Sequence, residues 1–288
     1  MSVQITRARR PRPARFGHRL RRLGLYLLVV LILGVVLAPF LWMVLSSFKS
    51  PGEIQGVTEN WLPERPYVEN YEGLRDTPFL RYFTNSLFIA AGTTSIAIVV
   101  AVLAGYGFAR FRFVGRKMLL IAIVTMQMFP AVLLAVPLYK MLRTAGLLDT
   151  QLGLVVVYVT FALPFCIWMM RNYFLTVPIE VEEAALIDGC NRFTALWRVV
   201  LPPTVPAIAA AAAFCVINVW EEFLYANTFI DTDSRRPLSV GLYSLIGEYT
   251  TDWGRLMAAG VLMVLPVVII FAVLQRYLTQ IAGGGVKG

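Results

Sequence analysis

The sequence predicts an all-α integral membrane protein with six transmembrane helices. Three observations carry that expectation. Of the 288 residues, 58% are hydrophobic, and the mean hydropathy is +0.69. Charged residues make up 15% of the chain, against about 25% in a soluble domain. Six long runs contain no Lys, Arg, Asp or Glu: 23–45, 86–109, 118–139, 152–170, 204–220 and 256–275. Each has the length of a membrane span. Backbone polar groups in lipid must pair within their own segment, so these runs are expected to be helices.

The elements follow in order. The first apolar run spans 23 residues, longer than the roughly 7–15 of a signal-peptide core. The Ser46-Ser47-Phe48-Lys49 that follows offers no small-x-small cleavage pattern, so the run is expected to stay as the first span. Pro130 and Pro137 fall in the third run, Pro164 in the fourth and Pro266 in the sixth. Each removes a backbone donor and predicts a kink. The fifth run is the shortest. It is expected to continue through Glu221 and Glu222 to about Ile230, because Phe223–Ile230 is again mostly apolar. The single membrane domain is thus placed at 23–280, between a basic tail at 1–22 and a Gly-rich, flexible tail at 281–288.

Charge position orients the chain. With the N-terminus inside, the inner segments hold 17 of the 26 basic residues but only 4 of the 17 acids. The inside then carries +13, and the outside, with the outer end of span five, −4. The positive-inside rule therefore favours both termini in the cytoplasm. The net charge of +9 serves orientation and anionic lipid, with no nucleic-acid partner expected. Cys166, Cys190 and Cys215 are too few and too scattered for a disulfide framework or a metal site. The only histidine, His18, lies in the arginine-rich tail. Metal, cofactor and triad chemistry lack material, and no Walker-type phosphate loop is present. A membrane enzyme is disfavoured on those grounds.

The inner segment 171–203 is too long for a plain connector. Pro178 stands at a plausible first helical position, with Glu180, Glu182 and Glu183 following. Gly189 can end that helix in the left-handed conformation. Asn191 or Thr194 can start a second helix, which Leu201-Pro202-Pro203 is expected to end. The pair reads as a short helix-turn-helix with an apolar, partly acidic surface. It fits either an interfacial helix packed under the bundle or a docking surface for a soluble partner.

Glu183-Ala184-Ala185, three residues, Gly189, nine residues and Val199-x-Leu201-Pro202 resemble the EAA-x3-G-x9-[I/V]-x-LP signature of binding-protein-dependent ABC importer permeases. The run from Glu182 through Asp188 and Gly189 is similar to the carbohydrate-uptake branch, on its smaller, maltose-type permease. So are Ser46-Ser47-Phe48-Lys49, Asn85-Ser86-Leu87 and the terminal Gly285-Val286-Lys287-Gly288. The likeness spans almost the whole chain. Cys190 stands where the family often has Ala, and Trp220-Glu221-Glu222-Phe223 where many members have Trp-Asn-Glu-Phe.

The resemblance implies a type I ABC importer permease fold whose loop 176–203 is a coupling helix seated in a separate ATPase subunit. Glu182, Glu183, Ala184, Ala185, Asp188, Gly189, Leu201 and Pro202 would carry the coupling. No catalytic site is expected in this chain; ATP and Mg2+ would belong to two partner ATPases. A second permease, an extracytoplasmic sugar-binding protein and membrane lipid complete the implied partners. Gln127, Asn218, Trp220, Glu221 and Glu222 are the candidates for the solute path, since polar residues inside spans are functional candidates by default. The competing readings are an ABC permease for glycerol phosphate or a polyamine, and a secondary transporter with repeated halves.

Overall fold

A computed structural model describes residues 15–56, 60–243, 245–246 and 251–284, with side chains from residue 21 to 277. Residues 1–14, Glu248, the His18 side chain and Gly285-Val286-Lys287-Gly288 lie outside the described residues. The helices are α1 (Arg15–Ser47), α2 (Pro51–Gln55), α3 (Glu69–Glu72), α4 (Phe79–Arg110), α5 (Arg116–Thr125), α6 (Ala131–Thr144) and α7 (Gln151–Phe174). They continue with α8 (Ile179–Ile187), α9 (Arg192–Ala195), α10 (Leu201–Glu221), α11 (Leu224–Phe229), α12 (Leu238–Tyr243) and α13 (Trp253–Gly284). Among the described residues the only β pairing is an isolated bridge between Ile246 and Thr251.

Among the described residues five helices are long and apolar enough to cross a membrane: those built on α1, α4, α7, α9–α10 and α13. The expected third span is instead a broken one, α5 and α6 meeting at 103°. Pro130 does more than kink it. Proline pushes the preceding residue out of the helical region, and Phe129 is extended at φ −75°, ψ 128°. The expected continuation of span five is also interrupted, at Glu222, which is extended at φ −68°, ψ 125°. Conversely, Leu201-Pro202-Pro203 ends nothing. The chain runs from α9 through a π-helical turn, Leu196–Val200, directly into α10. The wide turn relieves the clash that each proline ring would make with the carbonyl four residues earlier. At the two ends, α1 already runs from Arg15 and α13 continues to Gly284. Once a helix is nucleated each further residue adds a backbone bond, so the apolar run does not mark its end.

The centre of the molecule is α4 against α7, with α10 lying across both. Small residues permit the approach. Ala97, Ala101, Ala207 and Ala211 are completely buried between these helices. A Cβ on Gly105 would stand 2.8 Å from the Met170 Cβ and 3.0 Å from the Arg171 backbone nitrogen. Cys166 and Cys215 meet here as free thiols, their sulfurs 3.3 Å apart. Helix α1 packs chiefly on α13 and turns most of its apolar side chains outward. A chain dissolved in lipid has no reason to hide them.

At the α1 end, the buried Asn70 side chain donates to the carbonyls of Ser47 and Lys49, both at 2.9 Å, satisfying acceptors that the helix end leaves open. Asn85 donates to the carbonyls of Ser234 and Arg236, and Ser86 accepts from the Leu238 amide. That places the start of α4 against the segment leading to α12. The turn before α7 is clamped by Asp149, held in the left-handed region at φ 57°. Its carboxylate accepts from the amides of Asp231 and Thr232, from the Thr232 hydroxyl and from Arg235. Burial pushes that carboxyl up, but the Thr232 and Asp231 hydrogen bonds and Arg235 outweigh it and hold it below its ordinary value.

Two predictions follow from this packing. Gly105→Val should lower stability by about 1–3 kcal/mol through overpacking, read as a lower Tm in detergent. The Asp149 clamp should be complete above the ordinary aspartate pKa of about 3.9 and be lost as pH falls through the lower folded value. Protection of the 231–232 amides, taken as the ratio of intrinsic to observed hydrogen-exchange rate at each pH, should therefore fall on acidification in the parent protein, and be low already at neutral pH in Asp149→Asn.

Candidate functional site

Helix α8 begins after Pro178, which is the residue before the first helical one, and Glu180 and Glu182 sit in its first turn. It ends as the sequence requires. Gly189 adopts φ 90°, the Gly189 amide donates to the Leu186 carbonyl at 3.1 Å, and the Cys190 amide donates to that of Ala185 at 3.0 Å. This double closure is the Schellman arrangement, which favours glycine because a Cβ strains the left-handed region. Asn191 then caps α9, accepting from the Thr194 amide at 2.8 Å.

The orientation of α8 reverses the amphipathic expectation. Glu182, expected at a partner-facing surface, is 2% exposed. Its carboxylate accepts from Arg110 Nε at 2.8 Å and from the Tyr106 hydroxyl, while Arg192 lies 3.9 Å away. Arg110 also donates to the Val177 carbonyl at 2.9 Å. A buried carboxylate is tolerable only when paired and hydrogen-bonded. Tyr106 and Arg110 sit at the end of α4, so the ion pair fastens α8 to that helix. Ala185 is buried beside Glu182.

The opposite face of α8 is open. Glu183, Ala184, Asp188 and Gly189 are exposed, and so are Ile179, Val181 and Ile187, the last at 86%. Phe193 and Trp197 extend the patch, edge to face at 6.0 Å and both exposed. Exposed aliphatic and aromatic side chains rimmed by acids mark a surface built to be covered. Of the expected coupling residues, Glu183, Ala184, Asp188 and Gly189 lie on that open face. Leu201 and Pro202 lie beyond the π turn at the head of α10.

The solute-path candidates are only partly brought together. Asn218 and Glu222 line a cavity of about 270 Å³ with Tyr158, Phe161, Phe214 and Tyr225. Glu222 accepts from the Tyr158 hydroxyl at 2.5 Å and from the amides of Tyr225 and Ala226, capping α11. Asn218 donates to the Phe214 carbonyl at 2.8 Å. Phe161 and Tyr225 stack at 5.1 Å. Tyr225 donates to the Ala131 carbonyl, so the two helix breaks meet at this cavity. Trp220 is buried, its indole nitrogen donating to the Met263 carbonyl at 3.0 Å, and it does not line the cavity. Glu221 and Gln127 are exposed and lie outside it.

Sequence reasoning missed Arg110, Tyr106 and Tyr158. Arg110 counted only as a basic residue at a span end, and nothing local marks its partner 72 positions away. Glu182→Gln or Arg110→Met should destabilise the 176–200 loop by about 3–5 kcal/mol, because each leaves one buried charge unpaired. Limited proteolysis should then cut this loop faster, and the double variant Glu182→Met/Arg110→Met should recover much of the resistance.

The model of the family described as binding-protein-dependent transport system inner membrane component matches residues 97–281. The chain is 35% identical over 273 residues to the inner membrane ABC transporter permease protein YcjP of Escherichia coli (strain K12), covering 93% of this chain and 98% of that one. It is 31% identical over 274 residues to the trehalose/maltose transport system permease protein MalG of Thermococcus litoralis, with the same coverage of 93% and 98%. Among solved structures it superposes, with a TM-score of 0.80 and 24% identity, on a chain of a bacterial ABC transporter involved in alginate import, covering 93% of this chain and 100% of that one. The fold is thus that of the type I ABC importer permeases, and the chain belongs to the binding-protein-dependent transport system inner membrane components.

Proposed function

We propose that this chain is a permease subunit of an ATP-driven importer that moves a sugar, a di- or oligosaccharide, across the cytoplasmic membrane. The observation that carries this reading is the outward face of α8. Ile187, Glu183 and Asp188 are presented on a helix whose back is bolted to α4 by Glu182 and Arg110. Such a face fits the cleft of a separate ATPase subunit. The exposed Ala184 allows close approach, while Glu183 and Asp188 offer carboxylates to donors on the partner.

The chain brings no catalytic groups of its own in this reading; two ATPase partners bind ATP and Mg2+. A second permease pairs with it as a heterodimer, and a binding protein delivers the sugar from outside. Both termini face the cytoplasm, as the charge asymmetry favours. Closure of the ATPase pair shifts α8 as a rigid body, passing the motion to α4 through the ion pair and to α10 through α9. The sugar class is supported by the trehalose/maltose relative and by the cavity. Its lining combines rings, the Asn218 amide and the Glu222 carboxylate, with no Lys or Arg to receive an anionic solute.

Gly189→Asp places a side chain where φ is 90°, and Glu183→Lys reverses a charge on the docking face. Each should lower sugar transported per ATP in proteoliposomes by roughly 5–150-fold, the range of coupling energies of about 1–3 kcal/mol. Membrane levels should stay normal. Undiminished uptake by a normally expressed Gly189→Asp variant would remove the coupling role.

A further inference from the structure

A further cavity belongs neither to the α8 face nor to the path. Its volume is about 760 Å³, and it lies between the end of α7 and the start of α5. Arg116, Lys117 and Arg171 line it, together with Gly115, Met118 and Ile121. No acid lines it, and none of the five ion pairs among the described residues uses these three cations. The Arg116 guanidinium donates to the Phe111 carbonyl, at a long 3.3 Å. Arg171 donates from one terminal nitrogen to Asn172, but its Nε is buried with no hydrogen-bond partner. An orphaned buried donor among three cations is costly, and it calls for an anionic acceptor. The positive end of α5 opens at the same place, with Gly115 as its N-cap.

The rest of the lining selects the kind of anion. Met118 and Ile121 are 79% and 57% exposed on the outer side of α5. A free phosphate has no use for an apolar wall, whereas a phospholipid has a phosphate for the cations and acyl chains for Met118 and Ile121. The cavity also lies on the face of the molecule that carries α8, since Arg171 closes the helix leading into that loop and Arg110 binds Val177. We infer that this cavity holds the headgroup of an anionic phospholipid of the leaflet on the α8 side, clamped by Arg116, Lys117 and Arg171. Basic pockets between spans on the cytoplasmic side are suited to such lipids.

The test uses the purified complete transporter, equilibrated with equimolar vesicles of phosphatidylglycerol and phosphatidylcholine and then washed in detergent. Retained lipid is counted by mass spectrometry. Phosphatidylglycerol should be retained over phosphatidylcholine, and binding should weaken about fivefold for each charge removed in Arg116→Gln and Lys117→Gln, alone and combined. Both positions are at least partly exposed, so these variants test binding without disturbing the core; Arg171→Gln is the third. Inorganic phosphate should not displace the lipid. Equal retention of the two lipids, equal retention by parent and double variant, or displacement by inorganic phosphate would each overturn the proposal. So would an assembled complex that holds no phosphatidylglycerol, the result expected if an acidic segment of a partner subunit fills the cavity. Sugar uptake is read separately, and its loss bears on the transport reading alone.

Discussion

One carboxylate organises the α8 face of this molecule. Glu182 is buried, and a buried charge must be met by an opposite charge and by hydrogen-bond donors or it will not stay buried. Arg110 and Tyr106 meet it from the last turns of α4, and Arg110 reaches on to the Val177 carbonyl. The start of the loop, its first helix and the end of span two thereby become one unit. That unit extends further, because α4 lies so close to α7 at Gly105 that a methyl group would not fit without displacement. With the charge drawn inside beside Ala185, the side chains of Ile179, Val181 and Ile187 are left facing outward. Burying one polar residue is what creates the apolar surface.

A second constraint acts across the spans. Lipid offers no hydrogen bonds, so non-helical backbone survives at depth only where protein or a cavity surrounds it. The two interruptions, at Phe129-Pro130 and at Glu222, obey this rule by meeting each other. Tyr225, just after the second break, donates to Ala131, just after the first. Glu222 answers the open amides of α11 and the Tyr158 hydroxyl. Its presence in an apolar segment thus has a structural cause, and the same cause brings it to the cavity wall beside Asn218. Discontinuous helices facing one another are how membrane proteins place polar groups along a path without exposing backbone to lipid.

Basic residues divide by what answers them. Arg110 is consumed by Glu182, and Arg235 by Asp149. Among the described residues Arg116, Lys117 and Arg171 pair with no acid, and they line a cavity instead. The positive-inside count treats all of these alike, since it weighs only which side of the membrane each charge occupies. Contact geometry separates cations that build the fold from those left for an external anion.

The sequence alone settles the class of the protein, the apolar runs that supply its spans, a loop of two helical segments and the glycine stop at Gly189; for the cap of the second segment it offers Asn191 or Thr194, and the fold uses Asn191. These are local or additive properties. Transfer of each side chain into lipid is summed along a run, and a left-handed helix end is a demand of a few adjacent residues. Only the tertiary structure decided that α8 turns Glu182 inward, that Trp220 is core while Asn218 and Glu222 share a cavity, and that Pro130 breaks a span outright while Pro202 and Pro203 leave theirs intact. Each of these rests on a particular neighbour: Arg110 is 72 positions from Glu182, and Tyr158 is 64 from Glu222. A π turn just ahead of the prolines sets the third. Periodicity cannot identify such partners, because the free energy of a buried polar group depends on what it meets and not on where it stands in the chain.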